Sequence, residues 1–226
     1  MTTAHAAQEL HNFDPAKAFS LHGQTAIVTG GGRGIGAAIA EGLARSGAFV
    51  AVFDKDQAAA EQVAAQLSAQ GFQASAHRVD VTDEASVIKA MDAVVAKTGR
   101  LDCLINNAGL AIRRPSIELD LKDWEAVLSV NLTGVFLCAR QAARHMLTRK
   151  SGVIINTASI MGLSGGGLYP NISYQSTKGA VVNLTRSLAV EWARDGIRVN
   201  AIAPTWVRTD FIKPLIDNPE LLARME

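Results

Sequence analysis

The chain has 226 residues, 22 Lys and Arg against 21 Asp and Glu, a formal net charge of +1, 48% hydrophobic and 19% charged residues. That length suits one sizeable α/β domain, and so even a charge balance excludes a bulk basic field for nucleic acid or an anionic membrane. Two cysteines, Cys103 in LDCLI and Cys138 in VFLCAR, lie in apolar runs and read as small buried hydrophobes, which excludes a disulfide framework and fits a reducing cytoplasm.

Residues 1–20 lack a basic n-region and an apolar core, so they read as an N-terminal arm, not a secretory signal. No apolar run is long enough to suggest a membrane span. From Thr25 onward, short apolar runs alternate with longer amphipathic ones. TAIVTG, AFVAVFD, QASAHRVD, LDCLINNAG, SGVIINTAS and IRVNAIAP have strand length and β-branched content. Between them the period predicts helices over Gly34–Ser46, Gln57–Ala69, Glu84–Lys97, Leu121–Thr148 and Ser173–Arg194, with short pieces after Thr209. Strands apolar on both faces belong between two helix layers, so 21–226 is expected to be one α/β domain, a doubly wound parallel sheet in a Rossmann-like three-layer sandwich. Ligands then sit at the C-terminal ends of the strands.

The first strand runs into TGGGRGIG, residues 29–36. Glycines let a backbone turn sharply and approach a pyrophosphate, and the helix that follows offers free amides and a favourable dipole; a tight ligand-free connection would need the same glycines. Asp54 ends the second strand. A carboxylate there can accept hydrogen bonds from ribose hydroxyls and would repel a 2′-phosphate, which places NAD before NADP. Arg33 and Lys55 are cations that could approach a 2′-phosphate or simply face solvent. Asp80 and Val81 end the third strand, where they could hold an adenine edge, and Asp80 could equally cap the next helix. The histidines (His5, His11, His22, His77, His145) show no ligand spacing, and no metal site is indicated.

TGGGRGIG at 29–36, NNAG at 106–109, Asn131, Ser159 and YQSTK at 174–178 together resemble the short-chain dehydrogenase/reductase family, from about Gln24 to Phe211, with polyol and sugar-acid dehydrogenases nearest in look. The resemblance implies a catalytic tetrad. Tyr174 would be the base, its pKa lowered by Lys178 one helical turn away, since an unperturbed phenol near 10 is a poor base at neutrality. Lys178 would also bond the nicotinamide ribose, Ser159 would orient the substrate oxygen, and Asn131 would hold a water relaying protons from Lys178. The cofactor surface would comprise Gly30, Arg33, Gly34, Ile35, Gly36, Asp54, Asp80, Val81, Asn107, Ala108, Gly109, Tyr174, Lys178, Pro204, Val207 and Thr209. Asn106 and Asn107 would tie strand four to its neighbours.

Two departures stand out. The family usually has Pro-Gly where this chain has Pro204-Thr205, and the chain stops at Glu226 where the family usually continues, so a C-terminal part is expected to be missing. Leu163, Ser164, Leu168, Asn171, Arg113 and Trp206 are candidates to line a substrate pocket, and Gly165–Gly167 suggests mobility or close approach to a ligand. Arg113 and Arg114 could bind an anionic substrate or form a surface charge pair. The expectation is a cytoplasmic NAD-dependent oxidoreductase interconverting a secondary alcohol and a ketone, with a polyol, sugar or sugar acid as substrate. Alternatives are an NADPH-dependent 3-ketoacyl-type reductase and a noncatalytic dinucleotide-sensing protein of the same fold. The two long helices are apolar around much of their circumference, which predicts self-association into a dimer or tetramer through them.

Overall fold

A computed structural model describes residues 18–165 and 168–225. Most of the expected N-terminal arm, together with Gly166 and Gly167, lies outside the described residues. The six expected strands form one fully parallel sheet in the order β3-β2-β1-β4-β5-β6: β1 Thr25–Thr29, β2 Phe49–Asp54, β3 Ala74–Arg78, β4 Cys103–Asn106, β5 Gly152–Thr157 and β6 Ile197–Ile202. The order reverses between β1 and β4, so a crevice opens above their C-terminal ends.

Strand burial shows why the apolar runs are continuous. All five residues of β1 are buried, and neighbours alternate between two cores. Ile27, Phe53, Leu104 and Ile154 pack on one face with Met91, Met146 and Leu188. Val28, Val50, Val52 and Ile105 pack on the other with Ala40, Val63 and Leu67. Each large side chain so buried contributes about 1.5–3 kcal/mol. The first core is covered by α3 (Glu84–Thr98), α5 (Gly134–Leu147) and α6 (Ile172–Trp192), the second by α1 (Gly34–Arg45) and α2 (Gln57–Ala69).

Local chemistry sets the helix limits. The Asp56 carboxylate accepts from Ala59 N at the start of α2, Asp83 accepts from Ala85 N at the start of α3, and Gly99 ends α3 in the left-handed region at φ 77°. Asp83 is therefore the cap that the sequence had offered to Asp80.

The helix expected over Leu121–Thr148 is one rod with a defect. α4 (Leu121–Leu128) leads into a π-helical turn, Ser129–Thr133, before α5 resumes. The rod Leu121–Leu147 has the length and mean hydropathy of a membrane span, contrary to the sequence reading, but 56% of its most apolar window is buried within the fold. The same burial absorbs much of the apolar surface expected to face a partner. Val127, Val135, Val181, Leu188 and Trp192 pack internally, while Phe136 (40% exposed) and Val190 (81% exposed) remain outside.

Candidate active site

A cleft of about 630 Å³ lies over the strand ends, within the ~300–1,000 Å³ usual for ligand sites. It runs from Asp54 and Asp80 at one end, past the glycine turn and Asn107–Gly109, to Ser159, Tyr174, Lys178 and the segment Pro204–Ile212. Gly36 lies under the turn rather than on the wall.

The glycine turn is a cradle that side chains would close. Gly30 and Gly34 hold φ of 60° and 54°, where glycine is favoured. A Cβ at Gly30 would meet Ala108 Cα at 2.8 Å, at Gly32 the Asp54 carboxylate at 2.8 Å, and at Gly36 the Gly30 carbonyl at 2.1 Å. Asp54 braces the turn from below, accepting from Gly32 N at 2.9 Å and from Asp56 N at 3.0 Å. A backbone held open over the N-terminus of a helix, with a carboxylate one strand away, fits the pyrophosphate and ribose of a dinucleotide.

At that end the two cations are already engaged. Arg33 pairs with Asp56 at 2.8 Å and Lys55 with Asp80 at 2.8 Å, all four on or near the surface. Asp80 also accepts from Thr82 N and Oγ1. Burial works against its charge, yet the hydrogen bonds from Lys55 and Thr82 hold its carboxyl below the usual carboxylate range.

The loop after β4 is fastened at both ends. Asn106 donates to Asn156 Oδ1 at 2.9 Å across to β5, and Asn107 donates its side-chain amide to the carbonyls of Thr29 and Gly30. The Thr29 hydroxyl accepts from Asn107 N and Ala108 N at 3.0 and 3.1 Å. Three residues on, Asn131 grips Leu110. Its Oδ1 accepts from Leu110 N at 2.7 Å, and its Nδ2 donates to Leu110 O at 2.9 Å and to Thr177 Oγ1 at 3.2 Å.

Asn131 is 0% exposed in the middle of the π turn, the kind of helical defect that recurs at functional positions. Its side-chain amide is committed to these protein partners, which fasten the backbone leaving the sheet.

α6 delivers the other polar groups. Lys178 is 3% exposed, with Nζ donating to Thr157 O at 2.5 Å, and burial depresses its pKa from 10.5 to about 8. Gly162 lets the short turn after β5 press on the helix at this point, since a Cβ there would meet Lys178 backbone at 2.5 Å. Ser159 caps that turn, accepting from Met161 N at 3.1 Å, and its hydroxyl opposes the rise that burial imposes on the Tyr174 phenol. The structure thus unites Ser159, Tyr174 and Lys178, with Asn131 behind Gly109, where a Cβ would lie 3.7 Å from Asn131 Oδ1 and 4.0 Å from Lys178 Nζ.

One expectation is corrected. Burial raises the Tyr174 pKa, and the groups opposing it are Ser159 and Arg113, with Lys178 not among them. Lys178 Nζ donates to the Thr157 carbonyl and lies over the phenol ring, 5.5 Å from its centre.

At the substrate end, Arg113, Asn171 and Trp206 line the cleft as expected, whereas Leu163 and Ser164 face solvent and Leu168 lines a smaller depression beside Arg114. Thr205 needs no glycine conformation, for Lys150 is the sole non-glycine at positive φ among the described residues. The sequence reading missed Thr157, which acts through its backbone carbonyl, Leu110, and Phe211, whose ring centre is 6.0 Å from that of Tyr174. Neither backbone role leaves a side-chain signal.

A parallel sheet with a glycine cradle at its topological switch, and a buried Ser and Lys with a half-buried Tyr facing the same cleft, defines a dinucleotide-dependent oxidoreductase. Residues 24–220 match the short chain dehydrogenase family. The D-threitol dehydrogenase of Mycolicibacterium smegmatis (strain ATCC 700084 / mc(2)155) is 43% identical, over 94% of this chain and 80% of its own. A 3-oxoacyl-[acyl-carrier-protein] reductase of Synechocystis sp. (strain ATCC 27184 / PCC 6803 / Kazusa) is 38% identical over 89% and 81%. Among solved structures, a gluconate 5-dehydrogenase from Burkholderia cenocepacia J2315 in complex with NADP and tartrate gives a TM-score of 0.87 at 38% identity, over 92% of this chain and 81% of that one. The chain belongs to the short-chain dehydrogenase/reductase family and is an NAD(P)-dependent enzyme acting on CH–OH groups.

Proposed function

We propose that the enzyme interconverts a secondary alcohol and a ketone on a polyol, sugar or sugar acid, with cofactor and substrate sharing one domain. The observation that supports this most is the placement of Ser159, Tyr174 and Lys178 at one end of a cleft whose other end is the glycine cradle. The bound dinucleotide supplies the hydride acceptor or donor. Oxidation also requires the hydroxyl proton to leave, and the phenolate form of Tyr174 takes it while Ser159 holds the oxygen. A phenol whose pKa burial raises is a ready proton donor for the reverse step, ketone reduction. Lys178 keeps its ammonium beside the ring below about pH 8, and Asn131 is a positioning residue that fixes Leu110 and Thr177 around them.

Gly30, Arg33, Gly34, Ile35, Asp54, Asp80, Val81, Asn107, Ala108, Gly109, Pro204, Val207 and Thr209 form the cofactor wall, with Gly36 beneath it. Asp54 favours NAD, and the pairing of Arg33 and Lys55 with carboxylates supports the same choice. The neighbour crystallised with NADP favours NADP, because surface ion pairs are worth only about 0–1 kcal/mol and yield to a phosphate, and the 3-oxoacyl-[acyl-carrier-protein] reductase relative supports the second reading, an NADPH-dependent reductase of the 3-oxoacyl type. We further infer a cytoplasmic homo-oligomer, a dimer or tetramer, joined through α4–α5 and α6, on which Phe136 and Val190 remain exposed.

The test measures NAD and NADP affinities side by side, then screens secondary alcohols and sugar acids by absorbance of the reduced cofactor. Tyr174→Phe should lose ~10²–10⁴-fold in turnover with dinucleotide affinity little changed. Residual turnover within tenfold of the parent would remove Tyr174 as the base, and tighter NADP binding would reverse the cofactor assignment.

A further inference from the structure

Four cations line the cleft: Arg33, Lys55, Arg113 and Lys178. The first two face carboxylates and Lys178 is held by the Thr157 carbonyl. Arg113 differs. Among the described residues no carboxylate lies within ion-pairing distance of it, whereas its neighbour Arg114 approaches Asp123 at 3.8 Å.

What holds Arg113 is aromatic. Its guanidinium carbon lies 5.6 Å from the ring centre of Tyr169 and 5.4 Å from that of Phe211, and Nη2 donates to the Phe211 carbonyl at 3.2 Å. The Nε is buried with no hydrogen-bond partner. Three separate loops, after β4, β5 and β6, therefore converge to hold one cation beside the Tyr174 ring, against which Phe211 also packs. Such faces orient a guanidinium without satisfying it, and a half-buried planar cation with unspent N–H groups suits a bidentate carboxylate.

We propose that Arg113 binds the carboxylate of an acidic substrate, so that the cleft selects a hydroxy acid of the sugar-acid type over the neutral polyol of the same carbon skeleton. This deepens the oxidoreductase reading and rests on it. Arg113 is a specificity residue at the end of the cleft opposite Asp54, and its charge also reaches the phenol, opposing the burial that raises it.

The test compares D-gluconate with D-glucitol, which replaces the carboxylate by a hydroxymethyl group. Their affinities for the full chain saturated with its dinucleotide are measured by titration calorimetry, which needs no turnover. Gluconate should bind at least ~10-fold more tightly than glucitol. Arg113→Gln should lower the gluconate-to-glucitol affinity ratio by ~10–100-fold, the usual range for a charged hydrogen bond, and Arg113→Lys should retain part of it. Glucitol binding as tightly as gluconate, neither ligand binding, or Arg113→Gln weakening both equally would each overturn the assignment. The two readings fail separately: Arg113-dependent binding without turnover of any carbinol would sink the oxidoreductase reading, while turnover of neutral polyols with no preference for acids would sink only the role of Arg113.

Discussion

Lys178 offers a stability measurement whose sign is fixed by burial. Its ammonium is 3% exposed, Thr157 O is its hydrogen-bond acceptor, and its pKa falls from 10.5 to about 8 because removal from water outweighs that bond. Below about pH 8 both folded and unfolded chains hold the proton, and the folded state bears the full penalty of a buried charge. Between about 8 and 10.5 the unfolded chain keeps a proton that the folded chain has released, so stability rises with pH across that window. At about 1.4 kcal/mol per pKa unit, the depression corresponds to about 3 kcal/mol. Lys178→Met keeps the length and removes the titration. Urea unfolding of both proteins, at one protein concentration and at intervals from pH 7 to 10.5, gives a difference in stability. That difference should move by about 3 kcal/mol in favour of the parent as pH climbs. The missing bond to Thr157 O offsets the variant by a constant and leaves the slope untouched. A difference flat to within about 0.5 kcal/mol would mean that water reaches Lys178 and that burial does not set its charge.

Gly36→Ala should cost about 2–3 kcal/mol, because its methyl would press the Gly30 carbonyl at 2.1 Å and the Asn107 amide at 2.6 Å; a calorimetric melting midpoint within 1 °C of the parent's contradicts this, since ~2–4 °C per kcal/mol is expected at this size. Asn131→Ala strips Leu110 of an acceptor and a donor and should destabilise by about 2–3 kcal/mol in urea, with Asn131→Asp intermediate; equal stability of all three would show that the loop after β4 is held elsewhere. Because burial raises the phenol of Tyr174, alcohol oxidation, which needs the phenolate, should speed up steadily as pH rises from 7 to 10, while ketone reduction, which needs the protonated phenol, should stay flat across that window. A flat oxidation profile in steady-state kinetics argues for another base. Asp54→Asn keeps one acceptor oxygen, for Gly32 N, while removing the charge, so the NADP-to-NAD affinity ratio should grow at least ~10-fold, and an unchanged ratio in fluorescence titration would show that Asp54 does not set the preference.

The strands and long helices were legible because a buried parallel strand must be apolar on both faces, as Ile27 and Val28 are, and because capping residues such as Asp56 mark helix starts. Positions that need a side chain of one type were legible too: the glycines at 30 and 34, Asn107, Lys178. What the sequence hid were duties of the backbone and of direction. Nothing about threonine announces that the Thr157 carbonyl anchors Lys178, and an i, i+4 spacing places Lys178 near Tyr174 without saying that its ammonium turns across the ring. Asp80 and Asp83 are chemically alike, and only the path of the chain decides that Asp83 caps. Phe211 follows a strand by nine residues and reaches Tyr174 only through a turn that no periodicity encodes.

The strap from Asn107 to Leu110 is fastened to β1 through Thr29 and to the π turn through Asn131, so one wall of the cleft is nearly immovable. The opposite wall, Pro204–Ile212 with Tyr169, is a loop and a short 3-10 turn whose residues, apart from buried Ile212, are exposed or half-buried. A lineage, natural or selected in the laboratory, can therefore exchange residues such as Trp206 and Phe211 to take on new alcohols while its reaction stays the same. Libraries confined to that wall should return altered substrates among folded proteins, whereas libraries spread over 106–110 should return mostly chains that never fold.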